Sequence, residues 1–89
     1  MLTKSTALEC ASAGNGVRAN SIHPGQVRTP LSAQALNDPA MKRATVDRIP
    51  LGRMGEAVEI ATAIVFLASD ESSFMTGSEV TIDGGYTAQ

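Results

Sequence analysis

Apolar positions recur along this chain with two different spacings. From Glu56 to Ser69 they fall at 57, 58, 60, 61, 64, 65, 67 and 68, which covers a broad face of a helix. Glu56 and Glu59 stand where the N-terminus of that helix is positive. Leu2 to Ala13, with Ala7, Leu8 and Ala11 among the helix formers Lys4 and Glu9, predicts the tail of a helix stopped by Gly14-Asn15-Gly16. Val17–Ile22 is short with β-branched residues at both ends, and it predicts a strand that stops at the bend His23-Pro24-Gly25. Asp38-Pro39 reads as an N-cap followed by proline at the first helical position, opening a short helix over Pro39–Arg48 that closes before Ile49-Pro50. An irregular connection follows from Pro50 to Gly55. Asp70 to Gly77 is a polar loop into which Phe74 and Met75 are expected to tuck, and Glu79–Ile82 alternates as a strand before the turn Asp83-Gly84-Gly85.

The order of these elements decides the meaning of one motif. Gly14-Asn15-Gly16-Val17-Arg18-Ala19 fits G-x-G-x-x-G/A, a phosphate-binding fingerprint, with Asp38 downstream as an acidic partner. The fingerprint works only where a strand enters the glycines and a helix leaves, because the helix N-terminus supplies the free N–H groups. Here a helix enters and a strand leaves, so the glycines read as a helix stop and Asp38 as a cap.

Two strands separated by helices point to a parallel crossover. Two strands cannot shield both faces of a parallel sheet, so the chain reads as part of something larger. Its 89 residues, 43% of them hydrophobic, bound it to one small domain at most. Seven basic and nine acidic residues are spread without a cluster, which argues against nucleic acid and against an anionic membrane as partners. No apolar run reaches transmembrane length, and no signal-peptide core is visible. One cysteine, Cys10, and one histidine, His23, leave neither a disulfide framework nor a ligand set for zinc, and a cytoplasmic setting is the expectation.

Four stretches in order carry a resemblance: LTKSTALE, GVRANSIHPGQVRTP, IPLGRMGEAVEIATAIVFLASDESSFMTG and SEVTIDGGYTAQ. Together they resemble the C-terminal third of the short-chain dehydrogenase/reductase family, NAD(P)-dependent oxidoreductases on a doubly wound sheet. The likeness spans the whole chain, with N-S-I-x-P-G, F-L-A-S-D-x-S-x-x-x-T-G and D-G-G in register. It implies an α/β fold in which residues 1–89 supply the C-terminal part of a parallel Rossmann-type sheet. Val17–Ile22 and Glu79–Ile82 would then be neighbouring parallel strands, with Glu56–Ser69 as crossover helix.

The resemblance also implies roles. The bend Pro24-Gly25-Gln26-Val27-Arg28-Thr29 matches the family's P-G-x-V-x-T segment beside the nicotinamide of NAD or NADP, so Pro24, Gly25, Val27 and Thr29 become candidate cofactor contacts. The residue types suit this: Gly25 admits close approach, Val27 offers an N–H and C=O pair to a carboxamide, and Thr29 adds a hydroxyl. Without the resemblance the bend reads rather as a simple turn, with Thr29 a satisfied surface residue. Leu31–Arg48 corresponds to the substrate lid, with Leu36 and Met41 as apolar candidates to face a small alcohol or ketone of the secondary-alcohol or hydroxysteroid kind. The helix Glu56–Ser69 and strand Glu79–Ile82 match a common two-fold contact of the family, which implies a homo-oligomer.

No catalytic residue can be assigned. The family's Ser and Tyr-x-x-x-Lys, in which tyrosine exchanges the proton and lysine lowers its pKa, have no counterpart. The single tyrosine, Tyr86, is followed by Thr-Ala-Gln, and Lys4 matches a later L-T-K stretch. His23, without an acid partner and a nucleophile, makes no triad. Cys10, Met54 and Met75 read as packing residues. Ala57 stands where relatives often place proline at the helix start, a change that leaves the helix intact.

Two functions are compatible with this pattern. One is the C-terminal part of an oxidoreductase that interconverts alcohol and ketone by hydride transfer, supplying nicotinamide contacts, lid and subunit interface while being inactive alone. The other is a non-catalytic remnant that acts only by docking onto related subunits. A Tyr-x-x-x-Lys encoded in frame before Met1 separates them.

Overall fold

The computed structural model describes Leu2–Gln89. Helix α1, Leu2–Ala13, ends where Gly14 turns to φ 63° and its N–H reaches the Ala11 carbonyl, the glycine stop expected from sequence. Strand β1 follows at Ser21–Pro24 and pairs in parallel with β2, Glu79–Ile82, in the register Ser21↔Glu79 to Pro24↔Ile82. Between them lie α2 (Pro30–Ala35), α3 (Pro39–Ala44) and α4 (Ala57–Ala68), with single 3-10 turns at Val46–Arg48 and Asp70–Ser72. A last 3-10 turn, Tyr86–Ala88, follows β2.

Three boundaries differ from the sequence expectation. The strand expected over Val17–Ile22 lies at Ser21–Pro24, so His23-Pro24 belongs to the strand and the bend begins at Gly25. The reason is the partner. Ser21 N–H binds the Ser78 carbonyl and Gly25 N–H the Ile82 carbonyl, so alternate N–H groups face β2 and the position of Pro24, which has none to offer, faces away. Residues 17–20 are drawn out of the ladder because Arg18 and Asn20 reach into the loop before β2. The helix expected over Pro39–Arg48 breaks at Thr45, whose φ of −124° and ψ of −82° are not helical, leaving α3 and the Val46–Arg48 turn. The Asp38 cap itself is present, its carboxylate accepting the Ala40 N–H at 3.0 Å with Pro39 next in line. Helix α2 was not foreseen.

Helix α4 faces the sheet with Ile60 and Leu67, both half-buried: Ile60 lines one hollow with Ile82, and Leu67 lines another with Ile22. Its C-terminus is tied down from β1's side: the Arg18 guanidinium donates to the carbonyls of Leu67, Ser69 and Met75 at 3.0, 3.1 and 3.0 Å. A cation on the free carbonyls of a helix end satisfies both their hydrogen bonds and the negative end of the dipole. Ser72, fully buried, donates to Leu67 and Ser69 from the other side.

Little of this chain is covered. The buried apolar residues are Ala7, Val46, Ile49 and Met54, and α2, α3 and α4 contain none. The radius of gyration is 16.4 Å, against about 12 Å for a compact chain of this length. The accessible surface of 6233 Å² likewise exceeds the roughly 4,900 Å² expected. Val58, Val65 and Phe66 leave the outer face of α4 open, and among the described residues β2 has a free edge. Phe74 departs from expectation: it is 103% exposed rather than tucked into its loop, because no described residue reaches over it, whereas Met75 beside it is half-buried. Met54 is core and Cys10 half-buried. No helix among the described residues is long and apolar enough to cross a membrane.

Candidate functional site

The candidate cofactor residues come together on the bend that leaves β1 at the C-terminal edge of the sheet. Gly25 sits so close to the start of the next turn that a Cβ there would lie 2.7 Å from Asp83 Cβ and 2.9 Å from Asp83 Cα. The close approach that glycine permits is therefore to Asp83, within the chain. Val27 forms a parallel bridge with Gly55, made by Gly55 N–H to the Gln26 carbonyl (2.9 Å) and Arg28 N–H to the Gly55 carbonyl (2.8 Å). That pattern uses the groups on either side of Val27 and turns its own N–H and C=O away from Gly55. The Arg28 guanidinium pairs with Glu56 at 2.9 Å across the same junction.

Thr29 has work beyond the role expected of it. It is the N-cap of α2 in a reciprocal box: its hydroxyl accepts the Ser32 N–H at 3.1 Å while Ser32 Oγ accepts the Thr29 N–H at 2.7 Å. The hydroxyl also lies 3.0 Å from Ser32 Oγ, so one acceptor lone pair is left over.

Beside the bend opens a cleft of about 580 Å³ whose lining includes His23, Pro24, Gly25, Ile49, Asp83 and Tyr86. His23 is exposed and hydrogen-bonded to Ser21 Oγ at 3.0 Å through Nε2, and among the described residues no carboxylate bonds to its ring. The pair lacks the acid that orients a triad. Tyr86 is exposed on the last 3-10 turn. Leu36, half-buried at the end of α2, and Met41, exposed on α3, do not line this cleft. Among the described residues no group of three His, Cys, Asp or Glu side chains could hold a metal.

Two carboxylates brace the site. Glu59 accepts both terminal nitrogens of Arg53, at 2.8 and 3.0 Å, and the Glu56 N–H at 2.9 Å; the Arg53 hydrogen bonds, then that N–H, lower its pKa from an ordinary 4.5 to about 2. Asp83 accepts the Thr87 hydroxyl (2.7 Å), the Thr87 N–H (3.0 Å) and the Gly85 N–H (3.0 Å). Those bonds, the Thr87 hydroxyl first, hold it below the usual carboxylate range. Asp83, Arg18 and Asn20 stand in the turn and motifs that the sequence marks, but their bonding roles were not expected. An arginine inside an apolar strand and an aspartate opening a Gly-Gly turn were the visible signals.

Residues 1–87 match the family model described as Enoyl-(Acyl carrier protein) reductase, one of the short-chain dehydrogenase models. The chain belongs to the short-chain dehydrogenase/reductase family. This short-chain dehydrogenase/reductase segment is 45% identical over 89 residues to the NADP-dependent (R)-specific alcohol dehydrogenase of Lentilactobacillus kefiri, covering 100% of itself and 35% of that protein. It is 43% identical over 88 residues to cyclopentanol dehydrogenase of Comamonas testosteroni, covering 99% and 34%. Among solved structures it superposes on 4-hydroxyisoleucine dehydrogenase complexed with NADH at a TM-score of 0.86 and 36% identity, covering 99% of this chain and 35% of that one. The chain thus spans about a third of the length of the relatives it matches, and its α/β piece with two parallel strands is part of their Rossmann-type fold.

Proposed function

We propose that this chain serves as the C-terminal third of an NAD(P)-dependent dehydrogenase that interconverts a small secondary alcohol and its ketone. The observation that carries the reading is the bend at the C-terminal edge of β1, where open parallel sheets bind ligands. There Val27 presents an N–H and C=O that its bridge to Gly55 does not use. A carboxamide has one acceptor and one donor group to match them. Pro24 and Gly25 shape the bend, and the spare lone pair of Thr29 takes a further donor.

When bound, the nicotinamide supplies hydride transfer. What this chain adds is the wall against which that ring rests and the segment Leu31–Arg48 as a lid, with Leu36 and Met41 toward an apolar substrate. The named alcohol and cyclopentanol dehydrogenases support a secondary alcohol as substrate class. The open outer face of α4 and the free edge of β2 support association with a second copy through both elements. The residues here include neither a phosphate loop nor Tyr-x-x-x-Lys, so the 89-residue chain alone turns over no alcohol and binds cofactor weakly; micromolar affinity in calorimetry contradicts this.

A chimera tests the main reading. The N-terminal two thirds of the Lentilactobacillus kefiri enzyme, joined in register to this chain, is expected to oxidise secondary alcohols with NADP. A folded chimera that fails to bind NADP, or binds it without turnover, overturns the proposal.

A further inference from the structure

Among the described residues, the segment proposed as lid is buried at Val46 alone, next to its C-terminal root, and is tied to the rest of the chain at its two roots. Neither α2 nor α3 contains a buried residue; α2 is half-buried on one side and α3 is exposed throughout, so their own packing holds them weakly. The N-terminal root is the Val27↔Gly55 bridge with the Arg28–Glu56 pair. The C-terminal root rests on the turn after β2. Leu51 N–H donates to the Gly84 carbonyl at 3.1 Å, and the Gln89 side-chain amide donates to the Arg48 carbonyl at 2.8 Å. Gly84, at φ +64°, lies so close to buried Ile49 that a Cβ would stand 2.7 Å from Ile49 Cγ2, and one at Gly85 would stand 3.2 Å from Pro50. The turn is made rigid by Asp83, whose carboxylate gathers Gly85 and Thr87. The same Asp83 is the residue against which Gly25 of the bend is seated.

We propose that Asp83–Gln89 is a clasp that holds the lid's C-terminal root in register with the bend, and that Gln89 is its positioning residue for substrate. The inference rests on the reading of Leu31–Arg48 as a lid. Losing the Gln89 bond frees Arg48 and the preceding helices without touching Val27 or Thr29. The effect therefore falls on the fit of substrate, and cofactor binding and turnover keep their values.

Gln89→Glu removes the donor at nearly constant shape, and Gln89→Lys restores a donor of similar reach. In the active chimera, Gln89→Glu is expected to raise KM for the alcohol roughly two- to tenfold, the factor that one hydrogen bond supports. Unchanged kcat and unchanged KM for NADP should accompany it, with recovery in Gln89→Lys. Hydrogen exchange of the Leu51 amide in the 89-residue chain should quicken in Gln89→Glu and recover in Gln89→Lys. Gly84→Ala, which drives a methyl into Ile49, should give the same KM split more strongly. Unchanged alcohol KM and unchanged Leu51 exchange in Gln89→Glu overturn the clasp, as does a joint fall in kcat and NADP affinity. An inactive unsubstituted chimera overturns the dehydrogenase reading instead. Leu51 exchange then decides the clasp alone: protection lost in Gln89→Glu supports it, and an unprotected Leu51 in the unsubstituted chain overturns it.

Discussion

Gly25→Ala isolates the contact on which the bend is built. The new Cβ would stand 2.7 Å from Asp83 Cβ and 2.9 Å from Asp83 Cα, whereas carbon atoms rest about 3.5–4.0 Å apart. One strand end must therefore move by about 1 Å. Asp83 Cα is backbone and cannot rotate aside, and the Gly25 N–H bond to the Ile82 carbonyl, 2.9 Å long, ties the same two segments together. Overpacking of this kind costs about 1–3 kcal/mol. The alanine also restricts the unfolded chain, which offsets about 0.4–1 kcal/mol, so the net destabilisation spans about 0–2.6 kcal/mol and centres on about 1.3. Gly55→Ala is the matched control: its Cβ meets only the Gln26 carbonyl, at an ordinary 3.7 Å, so it should be neutral or stabilising by up to about 1 kcal/mol. Urea unfolding of the chimera, followed by circular dichroism, measures both. Hydrogen exchange at Gly25 should accelerate in the first variant alone. A Gly25→Ala protein as stable as the unsubstituted one, or less stable by no more than Gly55→Ala, refutes the reasoning.

Thr29→Val should cost the α2 cap about 0.5–2 kcal/mol and weaken NADP binding in the chimera, while Thr29→Ser keeps both; calorimetric titration of the two variants checks this, and equal affinities would remove Thr29 from the cofactor contacts. The Glu59 carboxyl should titrate near pH 2 rather than near 4.5, followed by its side-chain carbon resonance. Because its folded pKa lies below the unfolded value, the Arg53–Glu59 brace is present above about pH 4.5 and lost as pH falls through about 2; Arg53→Gln should return the midpoint toward 4.5. The outer face of α4 predicts concentration-dependent association in light scattering, abolished by Val65→Lys. A compact monomer at all concentrations in the unsubstituted chain contradicts that interface.

Local chemistry was legible in the chain itself. The glycine stop after α1, the Asp38-Pro39 cap and the apolar spacing of α4 each depend on residues within one or two turns of one another, and each stands where the pattern places it. The reversed order of helix, glycines and strand, which removed Gly14–Ala19 as a phosphate site, was visible for the same reason. Family membership was also written in the motifs, because N-S-I-x-P-G, the F-L-A-S to T-G run and D-G-G keep their spacing. Tertiary contacts decided the rest. The pattern over Val17–Ile22 suits a strand, but β2 supplies partners only from Ser21 onward, while Arg18 leaves the ladder to bind carbonyls 49 to 57 residues away. Thr29-Pro30 bears the same cap-then-proline signature as Asp38-Pro39, whereas Gly25 carries no mark that it was made small for Asp83. Phe74 looks like a residue to bury, yet burial needs a neighbour, and the fold brings none to it. The Gln89–Arg48 bond joins positions 41 residues apart, a proximity that follows only once β1 and β2 lie side by side. Spacing along a chain can specify a turn, a cap or a face; which distant residue completes it depends on how the elements pack.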